Sequence, residues 1–532
     1  MFFTHSLRGL RLTAAVATAL AGVPAAGAYA QSAKDTRLAA AVMNGDQTAI
    51  RALLAQKADV NAPMGDGMTA LHWAAFKDDL ATVKALLAAG AAPSPLTRLG
   101  AISPILMAAT NGNAAMIELL LAAGAQAGAA KSNGTTALML AAAAGGTEAV
   151  TLLVERGADV QATDLQNQQT AVMFAAAENR AGVVAALAAR GADLNARSKV
   201  IALGNKPRYD DDGNLIRAAT PEQMARSGRG PLSSMGGLTA LHYAARQGHT
   251  AAVTALVEAG AGVNRVSASD KTSALLIAIT NGHFDIARYL LDHGADPNLS
   301  DESGLAPLYA TVDAEWAPLG WAPNPITGQE QTTHFALMEA LLAKGADPNL
   351  RLTKKLWFRS LTHDQHWVST AGATAFWRAA ESSDVPVMKL LIAAGADPNI
   401  PTMEGTTALM AAAGVGWGAN FHRNLHGAWI EAAAYCLEVG IDVNAVDRNN
   451  FTAVHGAAYR GDVEMVKLFA KHGAKLDVRS KFGYPTDMAN GPKVNAHLPI
   501  EQPETMALLI SLGAPPPVMP KAGEPKPATP KQ

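Results

Sequence analysis

Imidazoles, indoles and basic side chains crowd into one stretch of this 532-residue chain. His363 and His366 bracket Asp364, and His422 and His426 are four apart, a spacing that shares one face of a helix. Imidazole is a common zinc ligand. Neither pair matches an established metal signature, so no metal and no cofactor is expected there. Seven of the eight tryptophans fall in the same stretch: Trp316, Trp321, Trp357, Trp367, Trp377, Trp417 and Trp429, with only Trp73 elsewhere. An indole offers a large contact area with few rotors and one polar handle, the profile of a binding hot spot. Trp316, Trp321, Trp357, Phe358, His363, His366, Trp367, Trp417, Phe421 and His422 are therefore the candidate partner-binding residues. The competing reading is that the rings form a small private core.

Arg351, Lys354, Lys355 and Arg359 lie beside Trp357, Phe358 and Trp367. Basic residues interleaved with aromatics can hold single-stranded nucleic acid, but the N-terminal export signal read below speaks against that. An anionic glycan or an acidic protein surface fits better. The catalytic phrases are missing: there is no Cys-x-x-Cys-His, His-Glu-x-x-His, Gly-x-Ser-x-Gly or Gly-x-x-x-x-Gly-Lys sequence. No enzymatic activity is expected.

The elements that must position these residues are repeats. The phrase Gly-Ala-Asp recurs at Gly157, Gly191, Gly294, Gly345 and Gly395, with degenerate copies at Lys57, Gly90, Gly124, Gly260, Gly440, Gly473 and Gly513. Uninterrupted copies are 33 or 34 residues apart. Each unit opens on a phrase such as Thr69-Ala70-Leu71-His72, Thr239-Ala240-Leu241-His242 or Thr452-Ala453-Val454-His455. The Thr suits a helix start, where the first N–H groups lack partners. A second helix follows, as in Val83-Lys84-Ala85-Leu86-Leu87, and the glycine ends it in a left-handed conformation.

A fixed period of this length denotes a solenoid, and these phrases closely resemble the ankyrin repeat family over most of the chain. The fold class expected is an all-α repeat solenoid of about twelve units, helix pairs joined by hairpins, over residues 31–514. The resemblance implies a concave face of hairpin tips and first helices that binds other proteins and performs no catalysis. His is missing from Thr136-Ala137-Leu138-Met139 and Thr170-Ala171-Val172-Met173, and Arg378 and Met410 belong to similarly altered phrases. The hydrogen bonding that the family's His supplies between repeats is in question there. Residues 36–61 read as an N-terminal cap, and Pro485-Thr486-Asp487 followed by Met506–Ile510 as the last unit.

Insertions break the period near 198–236, 315–330, 351–371, 415–428 and 490–503. Function in repeat arrays concentrates in such breaks. The first is either a partner-binding arm or a surface excursion. The 315–330 and 415–428 insertions split the two helices of a unit, whereas 351–371 lengthens a hairpin. Residues 515–532, rich in Pro and Lys, are expected to be a disordered tail.

Arg8 and Arg11 precede an apolar run, Leu12 to Val23, and Ala28-Tyr29-Ala30 is a small-x-small cleavage phrase. Residues 1–30 read as a secretory signal peptide cut after Ala30, the run being shorter than the ~20 residues a membrane span needs. The mature chain is then periplasmic or secreted. Net charge is −2, or −4 without Arg8 and Arg11, which gives no sign of a nucleic-acid or membrane-surface protein. Cys436, the lone cysteine, allows no internal disulfide. The reading is a non-catalytic scaffold that binds proteins through its concave face and aromatic insertions. The alternative is a small-ligand, glycan or metal-binding protein with its pocket among residues 316–429.

Overall fold

The computed structural model describes residues 35–202, 208–209, 215–216, 234–317, 325–356, 368–417, 427–491 and 500–518. Their twenty-four α-helices fall into twelve antiparallel pairs, the all-α solenoid that the period requires. In each pair an inner helix follows the hairpin and an outer helix returns. Ala70–Phe76 is a typical inner helix: Thr69 enters it in extended backbone and Leu71, Ala74 and Ala75 are fully buried. Its outer partner, Leu80–Ala88, buries Val83 and Leu86. Helices of five to eleven residues are marginal alone. Each inner helix here packs on the inner helices before and after it, so one apolar core runs the length of the array. The stack continues across the 198–236 insertion, with Ala171–Ala177 against Ala240–Gln247 and Ala181–Ala188 against Thr250–Glu258.

Three hydrogen-bond links join successive units. The first runs between hairpin tips: Arg98 N–H donates to Asp66 O (2.9 Å), Ser132 to Gly100, Leu165 to Asn133, and so on to Lys481 and Asn449. Gly67 and Gly134 allow this approach, because a Cβ there would lie 2.7 Å from Arg98 N and 2.8 Å from Leu165 N. The second link explains the Asn of the repeated phrase. Asn298 Nδ2 donates to Gly345 O (2.9 Å) and Asn298 Oδ1 accepts from Asp347 N (2.7 Å), while Asp296 Oδ1 holds Asn298 N (2.8 Å). Asn61, Asn264, Asn349 and Asn444 clamp the next unit the same way.

The third link is the histidine. Thr69 N–H donates to His72 Nδ1 (3.1 Å), which leaves the proton on Nε2 to donate to Ile102 O in the next unit (2.9 Å). His242 reaches Thr272 O (3.0 Å) and His455 reaches Gly483 O (3.3 Å) in the same tautomer. Burial outweighs these bonds and lowers all three pKa values, His242 and His455 to about 4. In the altered phrase before Arg378 the link survives with a different side chain: Trp377, fully buried, donates Nε1–H to Thr406 O (3.0 Å). Trp377 therefore belongs to the repeat core and not to the aromatic insertions.

The insertions leave the hairpin links intact. The base of the 198–236 insertion is a two-stranded antiparallel ladder, Val200–Ala202 with Ser234–Gly236, and Ala268 N still reaches Gly237 O (3.1 Å). The 351–371 insertion closes through Leu352 N to Ala373 O (3.0 Å), with Leu356 and Val368 buried at its base. The 315–330 insertion returns through the short turn Thr327–Gln329 and docks on the preceding unit. There Glu330 accepts from Asp285 N (2.8 Å), and the Asp285 carboxylate accepts from Gln331 and Thr332 N–H. At the C-terminus, Thr486 Oγ1 donates to Pro515 O (2.6 Å) and Asp487 accepts from Val518 N (2.7 Å). The first four residues of the expected tail are thus tied to the last unit.

Two outcomes follow from these links. Asn298→Ala removes two bonds of about 1 kcal/mol each, so the junction at Gly345 should weaken by about 1–2 kcal/mol. Hydrogen exchange at Gly345–Asp347 should accelerate accordingly, with distant units unaffected. The buried neutral histidines bind fewer protons than in the unfolded chain, so stability is retained above pH 6.5 and lost as pH falls toward 4. His242 and His455 should each cost about 2 kcal/mol between pH 7 and 5. Urea titrations should show a flatter pH slope for His242→Leu despite its lower stability at pH 7.

Candidate functional site

The residue after each histidine position lies on the inner helices, the elements that line the binding face in this kind of repeat array. In the second to fifth units it is Trp73, Met107, Leu140 and Phe174, all half-buried against the core. The four inner helices that carry this row, Ala70–Phe76, Pro104–Asn111, Ala137–Ala144 and Ala171–Ala177, contain no charged residue. Phe76 is 51 % exposed and meets Trp73 edge-on at 6.1 Å between ring centroids. Charges of both signs stand at the rims: Asp66, Arg98 and Lys131 on the hairpins, and Lys77, Asp78, Glu178 and Arg180 where the helices end.

From residue 307 onward the same side is closed. All of Pro307–Ala314, Ala375–Glu381, Ala408–Ala413 and Ala453–Tyr459 is buried. The corresponding residues are Ala310, Arg378, Ala411 and Gly456. Here the two helix-splitting insertions arise, on either side of the unit that begins at Thr374, and a charged cluster lies between their roots. Arg378 donates Nε–H to Asp313 (2.7 Å) and Nη2–H to Trp316 O (3.0 Å), with Glu381 3.2 Å from Nη1 and Ser382 bonded to the same nitrogen. The guanidinium thereby caps the preceding inner helix. Asp384 accepts on one oxygen from both Trp316 Nε1 (2.8 Å) and His334 Nε2 (2.9 Å), and its other oxygen takes Val387 N–H (3.2 Å) at the next helix start. Glu315 lies 3.9 Å from His334 Nδ1.

Burial opposes charging His334, but the Asp384 hydrogen bond and the charges of Asp384 and Glu315 prevail and raise its pKa. Burial likewise opposes an ionised Asp384, and the bonds from His334 and Trp316 prevail and lower it. When His334 is protonated the two form an ion pair, which contributes below the ordinary histidine pKa, loses that contribution as pH rises through the raised value, and fails again in strong acid. In the neighbouring junction Arg460 lies between Trp417 and Trp429, at 5.0 and 4.8 Å from their centroids, and donates Nη1–H to Ala412 O (3.1 Å). Burial lowers its pKa to about 10, partly offset by Asp462 and Glu381, so it stays cationic. Trp429 is hydrogen-bonded to Asp462.

This constellation does not resemble a catalytic set. A general base must have a free lone pair near its pKa, whereas His334 is held between two carboxylates. Of the ten candidate residues, Trp316 and Trp417 are placed, both half-buried against the core at the roots of insertions. Trp321, Trp357, Phe358, His363, His366, Trp367, Phe421 and His422 lie outside the described residues, as does His426. The 351–371 insertion enters at the hairpin end of Ala375–Glu381, and Trp316 and Trp417 sit near its other end, about 10 Å away at 1.5 Å per residue. Cys436 is buried in a helix, and burial pushes its thiol pKa up. Among the described residues no group of three or more His, Cys, Asp or Glu residues could hold a metal ion, and no helix is long and apolar enough to cross a membrane. Two groups were missed in the sequence: the row of Trp73, Met107, Leu140 and Phe174, whose constant offset from the opening Thr was the available signal, and the Arg378 cluster, which had none.

A stack of helix pairs linked through its hairpins, with a row of partly exposed apolar side chains on its inner helices, defines a repeat solenoid of the kind built for binding proteins. Residues 15–95, 104–198, 220–301 and 377–480 match the family model Ankyrin repeats (3 copies), and the chain belongs to the ankyrin-repeat family. Ankyrin repeats are protein–protein interaction modules, and the fold is typically non-catalytic. The chain is 27 % identical over 250 residues to Ankyrin repeat and SOCS box protein 16 of Mus musculus, covering 46 % of each chain. It is 36 % identical over 83 residues to the B-cell lymphoma 3 protein homolog of Mus musculus, 16 % of this chain and 18 % of that one. A Danio rerio protein bearing a palmitoyltransferase name, ZDHHC13, is 26 % identical over 232 residues, 43 % of this chain and 28 % of that one. These matches span about half of each relative or less, so no relative's activity carries over with them.

Breaking a buried ion pair by removing one partner costs about 3–5 kcal/mol, because the other charge stays behind. Arg378→Met should therefore destabilise the units around Ala306–Ala314 and Ala375–Glu381 by that amount. Hydrogen exchange resolved by segment should find the loss there and not in helices before residue 200.

Proposed function

We propose that this protein is an exported scaffold that holds a protein partner in its concave face between residues 70 and 177. The observation that carries this reading is the half-buried row Trp73, Met107, Leu140 and Phe174, on helices without charge, which stays partly exposed among the described residues. A surface of this kind is costly to leave in water and is a feature of interaction sites. The array is preformed by its links, so little ordering is lost on association. The insertion residues Trp321, Trp357, Phe358, His363, His366, Trp367, Phe421 and His422 are a second contact region in this reading. Export is supported by Arg8 and Arg11 before the Leu12–Val23 run and by the Ala28-Tyr29-Ala30 phrase.

Central apolar anchors of an interface contribute about 2 kcal/mol or more, so a paired Met107→Gln and Leu140→Gln variant should bind a captured partner at least about 30-fold more weakly. Far-UV circular dichroism should show the helices retained. Trp357→Ala with Trp367→Ala should give a smaller loss. Intact mass of the exported protein should begin at Gln31. Undiminished binding by the row variant sinks the concave-face assignment, and a full-length chain retained inside the cell sinks export.

A further inference from the structure

We infer that the occupant of this groove is an amphipathic α-helix with an uncharged apolar face, an inference that rests on the protein-binding reading above. Any segment that enters this surface must satisfy most of its own backbone, because the four helices offer it only the acceptor oxygens of Thr110 and Asn111 to bond. The polar side chains on the four helices of the row are His72, Trp73, Thr110 and Asn111. Each already has a partner inside the array: His72 on Ile102 O, Trp73 Nε1 on Met64 Sδ, Thr110 on Leu106 O, and Asn111 Nδ2 on Phe76 O. The inner-helix backbones are spent on their own turns. An extended chain laid here leaves its N–H and C=O groups buried and unpaired. A helix pairs them internally and presents only its side chains.

The chemistry of the helix follows from the charges. A Lys or Glu over Leu140 and Phe174 is desolvated with no counter-charge on any of the four helices. The stripe that faces the row is therefore apolar. The rims carry Asp66, Arg98 and Lys131 on one side and Lys77, Asp78, Glu178 and Arg180 on the other, so mixed charges suit its flanks. Neighbouring inner helices are spaced about 8–10 Å apart, so the row extends for about 24–30 Å. That length is covered by about 16–20 helical residues. Beyond Phe174 the equivalent residues are buried, Tyr243 and Ile277 at 9 % and 8 % exposure, which gives the occupant an end.

The test uses the mature full chain and three labelled peptides of 20 residues, read by fluorescence anisotropy. One places Leu and Ala on a single helical face with equal Lys and Glu opposite. The second has the same composition with the apolar residues scattered, and the third is the first with two central prolines. The first peptide should bind saturably, the others at least tenfold more weakly, and Met107→Gln with Leu140→Gln should reduce the first by tenfold or more. Phe174→Gln alone is a second variant in case the pair unfolds. Equal binding of the proline or scattered peptide, or no effect of either variant, overturns the inference. If no peptide binds but row variants still lose a captured natural partner, the helical occupant is wrong and the protein-binding reading stands.

Discussion

Everything in this structure depends on hydrogen bonds that each unit makes to the backbone of the next. A single helix pair buries too little to be stable. The core becomes continuous only if neighbours hold a constant register, and three links set it. Hairpin N–H groups bond the preceding hairpin, an Asn side chain clamps the following glycine turn, and a His or Trp side chain reaches the following hairpin. All three contact peptide groups. Each unit can therefore vary its side chains while its neighbour's atoms stay where the link needs them. That is how Trp377 replaces histidine, and how Gln161 occupies a clamp position with Nε2 on Gly191 O at 2.7 Å.

The same constraint decides where extra chain can be accommodated. An insertion between linked groups would break the register, so the insertions enter beside the links and hand the chain back to them. The 351–371 segment leaves after Thr353 N has bonded Ser303 O (2.7 Å) and returns so that Met403 N meets Ala371 O (2.7 Å). The 198–236 segment closes in a short antiparallel ladder before Gly237 resumes its role. The helix-splitting insertion before Glu330 avoids the hairpin end altogether and is tied back by Asp285.

How much of this was legible follows from what each feature repeats. The units, their glycine ends and the Thr-led helix starts recur at a fixed spacing, and the fold class could be read from them. The Asn clamp was visible as a recurring letter, but its partner is a carbonyl in the next unit, and backbone atoms leave no mark in a sequence. Trp377 looked like one more member of an aromatic crowd, because its place is defined by the distance to Thr374 and not by its neighbours in the chain. The Arg378–Asp313 pair spans 65 residues and occurs once, so periodicity carried no information about it. The candidate site was legible only in part: Trp316 and Trp417 lie at insertion roots, where their rings serve the charged cluster and Arg460.

The array therefore divides its concave side by chemistry. In the second to fifth units the residue at the open position is large and apolar, their inner helices carry no charge, and the row stays partly exposed. In the second half that position is Ala, Arg or Gly, and the space above is closed around Arg378, Asp313, Glu381 and His334. A buried cation with its carboxylates is a poor source of stability compared with apolar packing, so it does not explain itself as core. It does hold the ends of two inner helices and the root of an insertion in one geometry, since Arg378 addresses Asp313 and Trp316 at the end of one helix and Ser382 at the end of its own. The second half is thereby made rigid and closed. A partner seated against Trp73, Met107, Leu140 and Phe174 meets buried positions first at Tyr243 and Ile277, two units before the closed part that the ion network holds.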